Sequence, residues 1–185
     1  MNGRAGAPAG GPRVHGAEEV GRWLDRMAEA LAPTFRETPD AAFVGIRRGG
    51  VDVARALRAR AAPEAPFGEL DIAFYRDDFG TRGLHPRVGP SAIDFAVDGR
   101  AIVLVDDVVG TGRTVRAALN EIFDFGRPAR VTLAALVDRG GRELPFAPEV
   151  LGARLEVGAD EHVDYDAGAG TVAVRVARAA GGGAR

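Results

Sequence analysis

Residues 101–105 form an unbroken apolar run, Ala-Ile-Val-Leu-Val, which constrains the fold more than any other part of the sequence. Successive side chains of a strand point to opposite faces of a sheet, so a strand without polar alternation has to be buried on both faces. A second run of this kind lies at 131–137. Because such strands occur in parallel sheets that helices cover on both sides, we expect an α/β fold.

Helical and extended patterns alternate along the chain, as a mainly parallel central sheet flanked by helices requires. Apolar residues at helical spacing predict a helix over 17–32, which Pro33 is expected to end. The other predicted elements are a strand at 43–46 closed by Gly49 and Gly50, a helix from Val51, strands at 69–75 and 93–97, a turn at Asp98-Gly99, a helix over 115–123 that Gly126 and Pro128 stop, and an edge strand at 171–176. Ligands of such sheets bind beyond the carboxyl ends of the strands, where we expect the site.

The length of 185 residues fits one domain of ordinary size. We assign this domain to 17–178 and expect the flanking segments 1–16 and 179–185, which are rich in Gly and Ala, to be disordered tails. Residues 76–91 are polar and rich in Gly and Pro, which predicts a long loop. Loops of this length in compact domains are usually functional, so 76–91 is a candidate lid.

The composition excludes several functional classes. All 24 basic residues are Arg, so Schiff-base chemistry and a Walker phosphate loop, which both need Lys, are excluded. The net charge of −2 gives no overall attraction to nucleic acid, so an RNA contact would need a local Arg patch. The absence of Cys fits a reducing compartment, and no apolar run approaches the roughly 18 residues that span a membrane. We therefore expect a soluble cytoplasmic protein.

The remaining chemically active side chains match no catalytic pattern. His15, His85 and His162 lack the spacing of a metal site. Ser91, the only Ser, lacks the G-x-S-x-G pattern of a nucleophile elbow. The acids between 160 and 166 match no calcium loop and are interpreted as a solvated stretch.

The segment that follows the buried strand carries the functional argument. Asp106 and Asp107 are followed by Val-Val and then by Gly-Thr-Gly-Arg-Thr at 110–114, where a helix begins. The first N–H groups of that helix and the Thr hydroxyls can surround a phosphate, and Gly lets the backbone come close. Two carboxylates beside this cradle are explained if they accept hydrogen bonds from sugar hydroxyls and help to hold Mg²⁺. Phosphate and diol together indicate a phosphorylated ribose.

Residues 101–114 resemble the phosphoribosyl pyrophosphate signature of type I phosphoribosyltransferases, and within that fold family the chain looks most like the PyrR family. Members of the PyrR family regulate pyrimidine operons and have uracil phosphoribosyltransferase activity. The segments that carry the resemblance are 68–72 leading to 75–79, 112–119 and 137–145, so the match extends from about Val44 to about Gly152. The resemblance implies a small hood region after the main sheet, and the residues beyond Pro145 are expected to cover the base.

The resemblance also assigns roles by position. Asp106, Asp107 and Arg76 would be the catalytic residues, with the two acids meeting the ribose hydroxyls. The substrate-binding residues would be Arg47, Arg48, Gly49, Asp77, Val108, Val109, Gly110, Thr111, Gly112, Arg113, Thr114 and Arg139. Among them, 47–49 would face pyrophosphate, 110–114 would hold the 5′-phosphate, and the loop opening with Arg76 and Asp77 would close over the site. Mg²⁺ would be carried mainly by the substrate, near the two acids, without direct protein ligation.

Two departures from the family pattern leave alternatives open. Members usually carry Tyr at the position of Gly110, and many have Thr-Arg-Gly where this chain has Arg48-Gly49-Gly50. Hypoxanthine-type relatives place an acid at position 110, so Gly110 disfavours an oxopurine and uracil is the expected base. The alternatives are an RNA-binding transcription attenuator with weak or no transferase activity, or a transferase for another base. The resemblance further implies a homo-oligomer, UMP as product or effector, and pyrimidine leader RNA as a partner.

Overall fold

The computed structural model describes residues 13–72 and 91–176. Within them the helices are α1 (Ala17–Glu37), α2 (Gly49–Ala61) and α3 (Arg113–Phe125). The strands are β1 (Arg13–His15), β2 (Ala42–Ile46), β3 (Phe67–Leu70), β4 (Ala92–Ile93), β5 (Ala101–Val109), β6 (Arg130–Asp138), β7 (Val150–Arg154), β8 (Glu161–Asp166) and β9 (Thr171–Val176). No helix in these two ranges is long and apolar enough to cross a membrane.

Six strands form the main sheet in the order β4-β3-β2-β5-β6-β7. All neighbouring pairs from β3 to β7 are parallel, and β4 is an antiparallel edge strand on β3. The central strand is β5, which pairs with β2 on one side and β6 on the other. The predicted α/β fold with a mainly parallel sheet is therefore confirmed.

The main sheet is covered on both faces, which explains the lack of alternation in β5. Val103 and Val105 belong to one buried cluster with residues of α1 and α2. Ile102 and Leu104 belong to a second buried cluster with residues of α3. All four side chains are at most 1% exposed, so burial on both faces removes any position where a polar residue would be tolerated.

Helix α1 passes through Pro33 and ends at Glu37, so the prediction that Pro33 ends it is wrong. Proline costs one hydrogen bond in a helix, and packing of the last turn offsets that cost. In that turn, the ring of Phe35 stacks on Phe43 of β2 with 4.5 Å between centroids. The helix ends where Thr38 precedes Pro39, because a residue before proline disfavours helical geometry.

A second, antiparallel sheet has the order β1-β9-β8 and is called here the hood sheet. The prediction of a tail over 1–16 is wrong for Arg13–His15, which pair with β9 through the register Val14↔Ala173. Strand β9 pairs on both sides, so it is the centre of this sheet and the edge-strand prediction is also wrong. Residues 1–12 and 177–185 of the predicted tails lie outside the described residues.

Three strands begin or end at residues other than those predicted. Strand β5 continues to Val109, because Asp106, Val108 and Val109 find ladder partners on β6. Strand β4 contains only Ala92–Ile93, and the chain then reaches the predicted turn, where Arg100 N–H donates to the Val97 carbonyl at 3.1 Å. The strand predicted at 69–75 is observed as Phe67–Leu70, and its last three positions lie outside the described residues.

Candidate functional site

A cavity of about 400 Å³ opens beyond the carboxyl ends of β2, β5 and β6, the place expected from the sheet topology. The walls come from the β2 loop, from β5 and the loop after it, from the end of β6, and from β8 of the hood sheet. The lining residues are Arg48, Asp106, Asp107, Val108, Val109, Gly110, Thr111, Gly112, Thr114, Val115, Arg139, His162, Val163, Asp164 and Tyr165. The structure thus brings together ten of the predicted site residues.

Asp106 and Asp107 both line the cavity but lie in different surroundings. Asp106 is 1% exposed, and its Oδ1 accepts the N–H of Asp107 at 3.0 Å. The carboxylate of Asp107 lies against the start of α2, where a Cβ on Gly49 would come within 2.2 Å of Asp107 Oδ2. Because Gly49 has no side chain, the Asp107 carboxylate can lie beside the N-terminus of α2.

The turn between β5 and α3, residues 110–114, is called here the phosphate loop. Gly112 has a φ of +91°, a conformation that glycine adopts without strain, and its carbonyl accepts the first helical bond from Arg116. The N–H groups of Thr114 and Val115 lie in the first helical turn, so they have no acceptor within the helix. The Thr111 hydroxyl accepts the N–H of Arg113 at 3.3 Å. The loop therefore presents backbone donors and hydroxyls to the cavity, as a phosphate requires.

Two Arg residues that are predicted to bind substrate, Arg47 and Arg113, form ion pairs outside the cavity. Arg47 Nε donates to Glu69 Oε2 at 3.0 Å, and its Nη1 lies 3.6 Å from Asp71 Oδ2. Arg113 donates to Glu143 Oε2 from Nε at 3.0 Å and from Nη2 at 2.6 Å. Both residues support the loops that carry them, and their guanidinium groups are not among the cavity-lining groups.

Arg48 and Arg139 are the guanidinium groups of the cavity. The peptide bond between Arg47 and Arg48 is cis, and Arg48 is exposed. The guanidinium of Arg139 rests on Gly110, where a Cβ would come within 2.5 Å of Arg139 Nε. Within the described ranges, no hydrogen bond or ion pair is formed by either side chain. Two guanidinium groups that pair with no described residue thus line the cavity.

Asp138 closes β6 and is 2% exposed. Its Oδ1 accepts the N–H of Gly140 at 2.9 Å and lies 2.9 Å from Arg142 Nη2, while its Oδ2 accepts from Arg154 Nη2 at 3.2 Å. Burial opposes ionisation of this carboxyl, but the Gly140 hydrogen bond and the two guanidinium groups outweigh burial. The pKa of Asp138 therefore lies below its ordinary value.

Strand β8 supplies four cavity residues that the sequence did not reveal: His162, Val163, Asp164 and Tyr165. His162 Nε2 lies 3.1 Å from Asp164 Oδ2, so the stretch interpreted as solvated acid is partly a wall of the site. Burial raises the pKa of Tyr165, and the nearby Asp52 and Asp107 charges raise it further. No motif marks these residues, because they reach the cavity through pairing of the hood sheet, which is a long-range contact.

The candidate lid falls outside the described residues, together with Arg76 and Asp77. Ser91, at the end of the predicted loop, is described, and its hydroxyl accepts the N–H of Asp71 at 3.0 Å.

Comparison with known proteins agrees with this geometry. Residues 15–150 match the model of the phosphoribosyl transferase domain family. The chain is 56% identical to the Bifunctional protein PyrR of Pseudomonas entomophila over 128 residues, 69% of this chain and 74% of that protein. It is 52% identical to the Bifunctional protein PyrR of Pseudomonas aeruginosa (strain LESB58) over 147 residues, 80% of this chain and 85% of that protein.

Solved structures share the fold at low sequence identity. A hypoxanthine-guanine phosphoribosyltransferase from Bacillus anthracis superimposes with a TM-score of 0.67 at 15% identity, covering 92% of this chain and all of that chain. The hypoxanthine phosphoribosyltransferase of Trypanosoma cruzi gives a TM-score of 0.64 at 18% identity, covering 91% of this chain and 97% of that chain. The likeness concerns the fold alone.

Proposed function

Because the chain belongs to the phosphoribosyltransferase family, and within it to the PyrR family, we propose that it makes UMP and pyrophosphate from uracil and phosphoribosyl pyrophosphate. The observation that carries the proposal is a single cavity that unites a backbone phosphate cradle, two carboxylates and two guanidinium groups. These groups match the 5′-phosphate, the ribose hydroxyls and the anionic leaving group of that substrate.

In this proposal the phosphate loop holds the 5′-phosphate through the N–H groups of Thr114 and Val115 and the hydroxyl of Thr111. Asp106 and Asp107 accept hydrogen bonds from the two ribose hydroxyls. Carboxylates beside a phosphate are unfavourable unless donors lie between them, and a ribose diol supplies those donors. The sugar is thereby fixed at two points, which orients its C1 carbon toward the open part of the cavity.

The leaving pyrophosphate is assigned to the loop 47–49, where the Arg48 guanidinium is available as a donor. Arg76 and Asp77 are proposed to join it from the loop 76–91. Mg²⁺, carried mainly by the substrate, would lie near Asp106 and Asp107, whose carboxylates offer the oxygen atoms that this ion prefers. When bound with the substrate, Mg²⁺ supplies charge neutralisation for the departing pyrophosphate.

The base is assigned to the space between Arg139 and β8. An Arg side chain has five N–H donors and no acceptor, so it favours the carbonyl oxygens of uracil over the amino groups of cytosine or adenine. The Gly110 position supports this assignment, because the missing side chain leaves the room that the Arg139 guanidinium occupies.

The reaction needs no protein nucleophile. Uracil N1 forms a bond to the ribose C1 carbon as the bond from C1 to the pyrophosphate oxygen breaks, and the departing pyrophosphate takes up the proton that N1 loses. Positive charge grows on the sugar in the transition state, and the carboxylates of Asp106 and Asp107 lie on the ribose side to stabilise it. The protein contributes orientation and exclusion of water by the hood sheet and the loop 76–91.

Release of UMP by the purified protein tests the proposal directly. We expect turnover with uracil, phosphoribosyl pyrophosphate and Mg²⁺, and no comparable turnover with adenine, hypoxanthine, guanine or orotate. A preference for any of these other bases would overturn the assignment of uracil. Absence of transfer to every base would reject the enzyme activity itself.

A second function is favoured by the name of the relatives, which are called bifunctional. We propose that UMP in the same cavity controls binding to a pyrimidine leader RNA by a homo-oligomer in the cytoplasm. The expected result is salt-sensitive binding of a leader transcript that increases with UMP, measured by gel shift. No shift at low salt, with UMP present, would remove this second function without affecting the first.

A further inference from the structure

The phosphate loop is held by the segment that follows β6, residues 139–144, called here the β6 loop. The N–H groups of Glu143 and Leu144 donate to the Thr111 carbonyl at 3.0 and 2.9 Å. The Arg139 N–H donates to the Val109 carbonyl at 3.0 Å. The start of the β6 loop is thus bonded to the end of β5, and its last two residues are bonded to the phosphate loop.

Arg142 makes a side-chain contact between the same two segments. Its Nη1 donates to the carbonyl of Gly110, the first residue of the phosphate loop. Its Nη2 lies 2.9 Å from Asp138 Oδ1. One guanidinium therefore joins a buried carboxylate at the end of β6 to the backbone of the phosphate loop, and a planar fork of donors suits this double contact.

The path of the β6 loop depends on the same carboxylate. Gly140 and Gly141 have φ values of +71° and +67°, so the chain reverses directly after Arg139. Asp138 Oδ1 accepts the Gly140 N–H at 2.9 Å, which fixes the first residue of this reversal. The reversal returns Arg142, Glu143 and Leu144 to the phosphate loop.

We propose that Asp138, acting through Arg142, positions the phosphate loop for the 5′-phosphate of the substrate. Asp138 is a positioning residue, because it is not among the residues that line the cavity. The inference rests on the proposed function, since it requires the phosphate loop to bind phosphate. It adds that the loop geometry is set by an ion pair between a buried carboxylate and a partly exposed guanidinium outside the cavity, and not by the loop sequence alone.

Arg154 provides a matched control. It donates to the other oxygen of the same carboxylate at 3.2 Å, but its side chain is 72% exposed and, within the described residues, forms no hydrogen bond or ion pair with the phosphate loop. Loss of Arg154 therefore removes one positive charge beside Asp138 but leaves the hydrogen bond from Arg142 to the Gly110 carbonyl in place. Only a role through Arg142 predicts that the two Arg residues differ in their effect on phosphate binding.

The test measures binding of UMP and of magnesium pyrophosphate by calorimetry to the full chain and to Asp138→Asn, Arg142→Gln and Arg154→Gln. We expect Asp138→Asn and Arg142→Gln each to weaken UMP binding by about tenfold, the effect of losing one charge-assisted hydrogen bond. Pyrophosphate binding, which is assigned to 47–49, should not change. The double variant Asp138→Asn/Arg142→Gln should bind UMP as the single variants do, because both act through one contact.

Unchanged UMP binding in Arg142→Gln would overturn the inference, as would an equal loss in Arg154→Gln. If Asp138→Asn does not fold, Arg142→Gln and its comparison with Arg154→Gln still decide the question. Failure of the unaltered protein to bind UMP would reject the proposed phosphate site itself, and the inference with it.

Discussion

Asp106 and Asp107 are adjacent, yet alternation along β5 points their side chains to opposite faces of the sheet, where Asp106 is buried and Asp107 lies against the start of α2. Both carboxylates are predicted to bind ribose hydroxyls, so replacing either one removes charged hydrogen bonds to the substrate. We expect Asp106→Asn and Asp107→Asn to lower kcat/KM for phosphoribosyl pyrophosphate by about 10- to 100-fold, measured by UMP release. The control is Asp124→Asn, an exposed acid of α3. Full activity in both site variants would contradict the assignment.

The charge of Asp138 is expected to make the stability of the protein depend on pH. Its pKa is lowered from the ordinary value of 3.8, so its ionised form stabilises the fold above that value. This stabilisation is lost as the pH falls through the depressed pKa of the folded state, whereas an Asn at this position does not titrate. We expect Asp138→Asn to be less stable at neutral pH by about 1–2 kcal/mol.

The difference in the free energy of unfolding between the two proteins should therefore narrow as the pH falls below 3.8. Urea unfolding at neutral pH, and in steps down to about pH 3, measures this difference. A constant difference over the whole range would show that the lost stability does not come from the charge of Asp138.

At the scale of single elements, the start of α2 shows how glycine positions the site. A Cβ on Gly49 would meet the Asp107 side chain, whereas a Cβ on Gly50 would lie 2.6 Å from the Val105 carbonyl, which is backbone. We expect Gly49→Ala to displace the Asp107 carboxylate and lower activity with little loss of stability. Gly50→Ala should instead destabilise the fold by about 1–3 kcal/mol, because the sheet must move.

Thermal unfolding and UMP release, measured on the same preparations, separate these two effects. Gly21→Ala serves as the control, since its Cβ would meet nothing within 4 Å, and helix propensity should make it slightly more stable. Equal loss of stability in Gly49→Ala and Gly50→Ala would contradict the prediction that only Gly50→Ala destabilises the fold.

The central strands of the main sheet and the phosphate loop could be predicted because local patterns specify them, whereas β7 was not predicted. The apolar run at 101–105 permits only a doubly buried strand, and the sequence at 110–114 carries its own turn and helix start. Helix α1 beyond Pro33 could not be predicted, since its last turn depends on packing of Phe35 against Phe43. Strand β8 could not be assigned to the site for the same reason: its position depends on pairing with β9. Local propensity yields to long-range contacts in both cases.

At the scale of the whole molecule, the hood sheet and the main sheet share one core. Val172 of β9 is fully buried in the same cluster as Leu24, Leu57 and Val103, which come from α1, α2 and β5. Trp23, the only Trp, lies 5.0 Å from the His15 ring of β1, so its fluorescence reports on this junction. We expect both sheets to unfold in one transition, in agreement with the single domain predicted for 17–178.

Urea unfolding followed by Trp23 fluorescence and by far-ultraviolet circular dichroism should give one common midpoint. Val172→Ala removes two buried methyl groups and should lower stability by about 2 kcal/mol, with both midpoints shifted equally. Two separate midpoints in either protein would show that the hood sheet unfolds on its own.

The hood sheet joins β1, the first strand of the described chain, to β9, the last. On the ribosome, β1 emerges before the main sheet but cannot find its partner until β9 has been synthesised. The strands of the main sheet, except β4, follow one another with parallel crossovers and can assemble in order of synthesis. A nascent chain therefore builds the phosphate loop before it builds the wall that faces it, and the cavity is closed only once β8 and β9 have been synthesised.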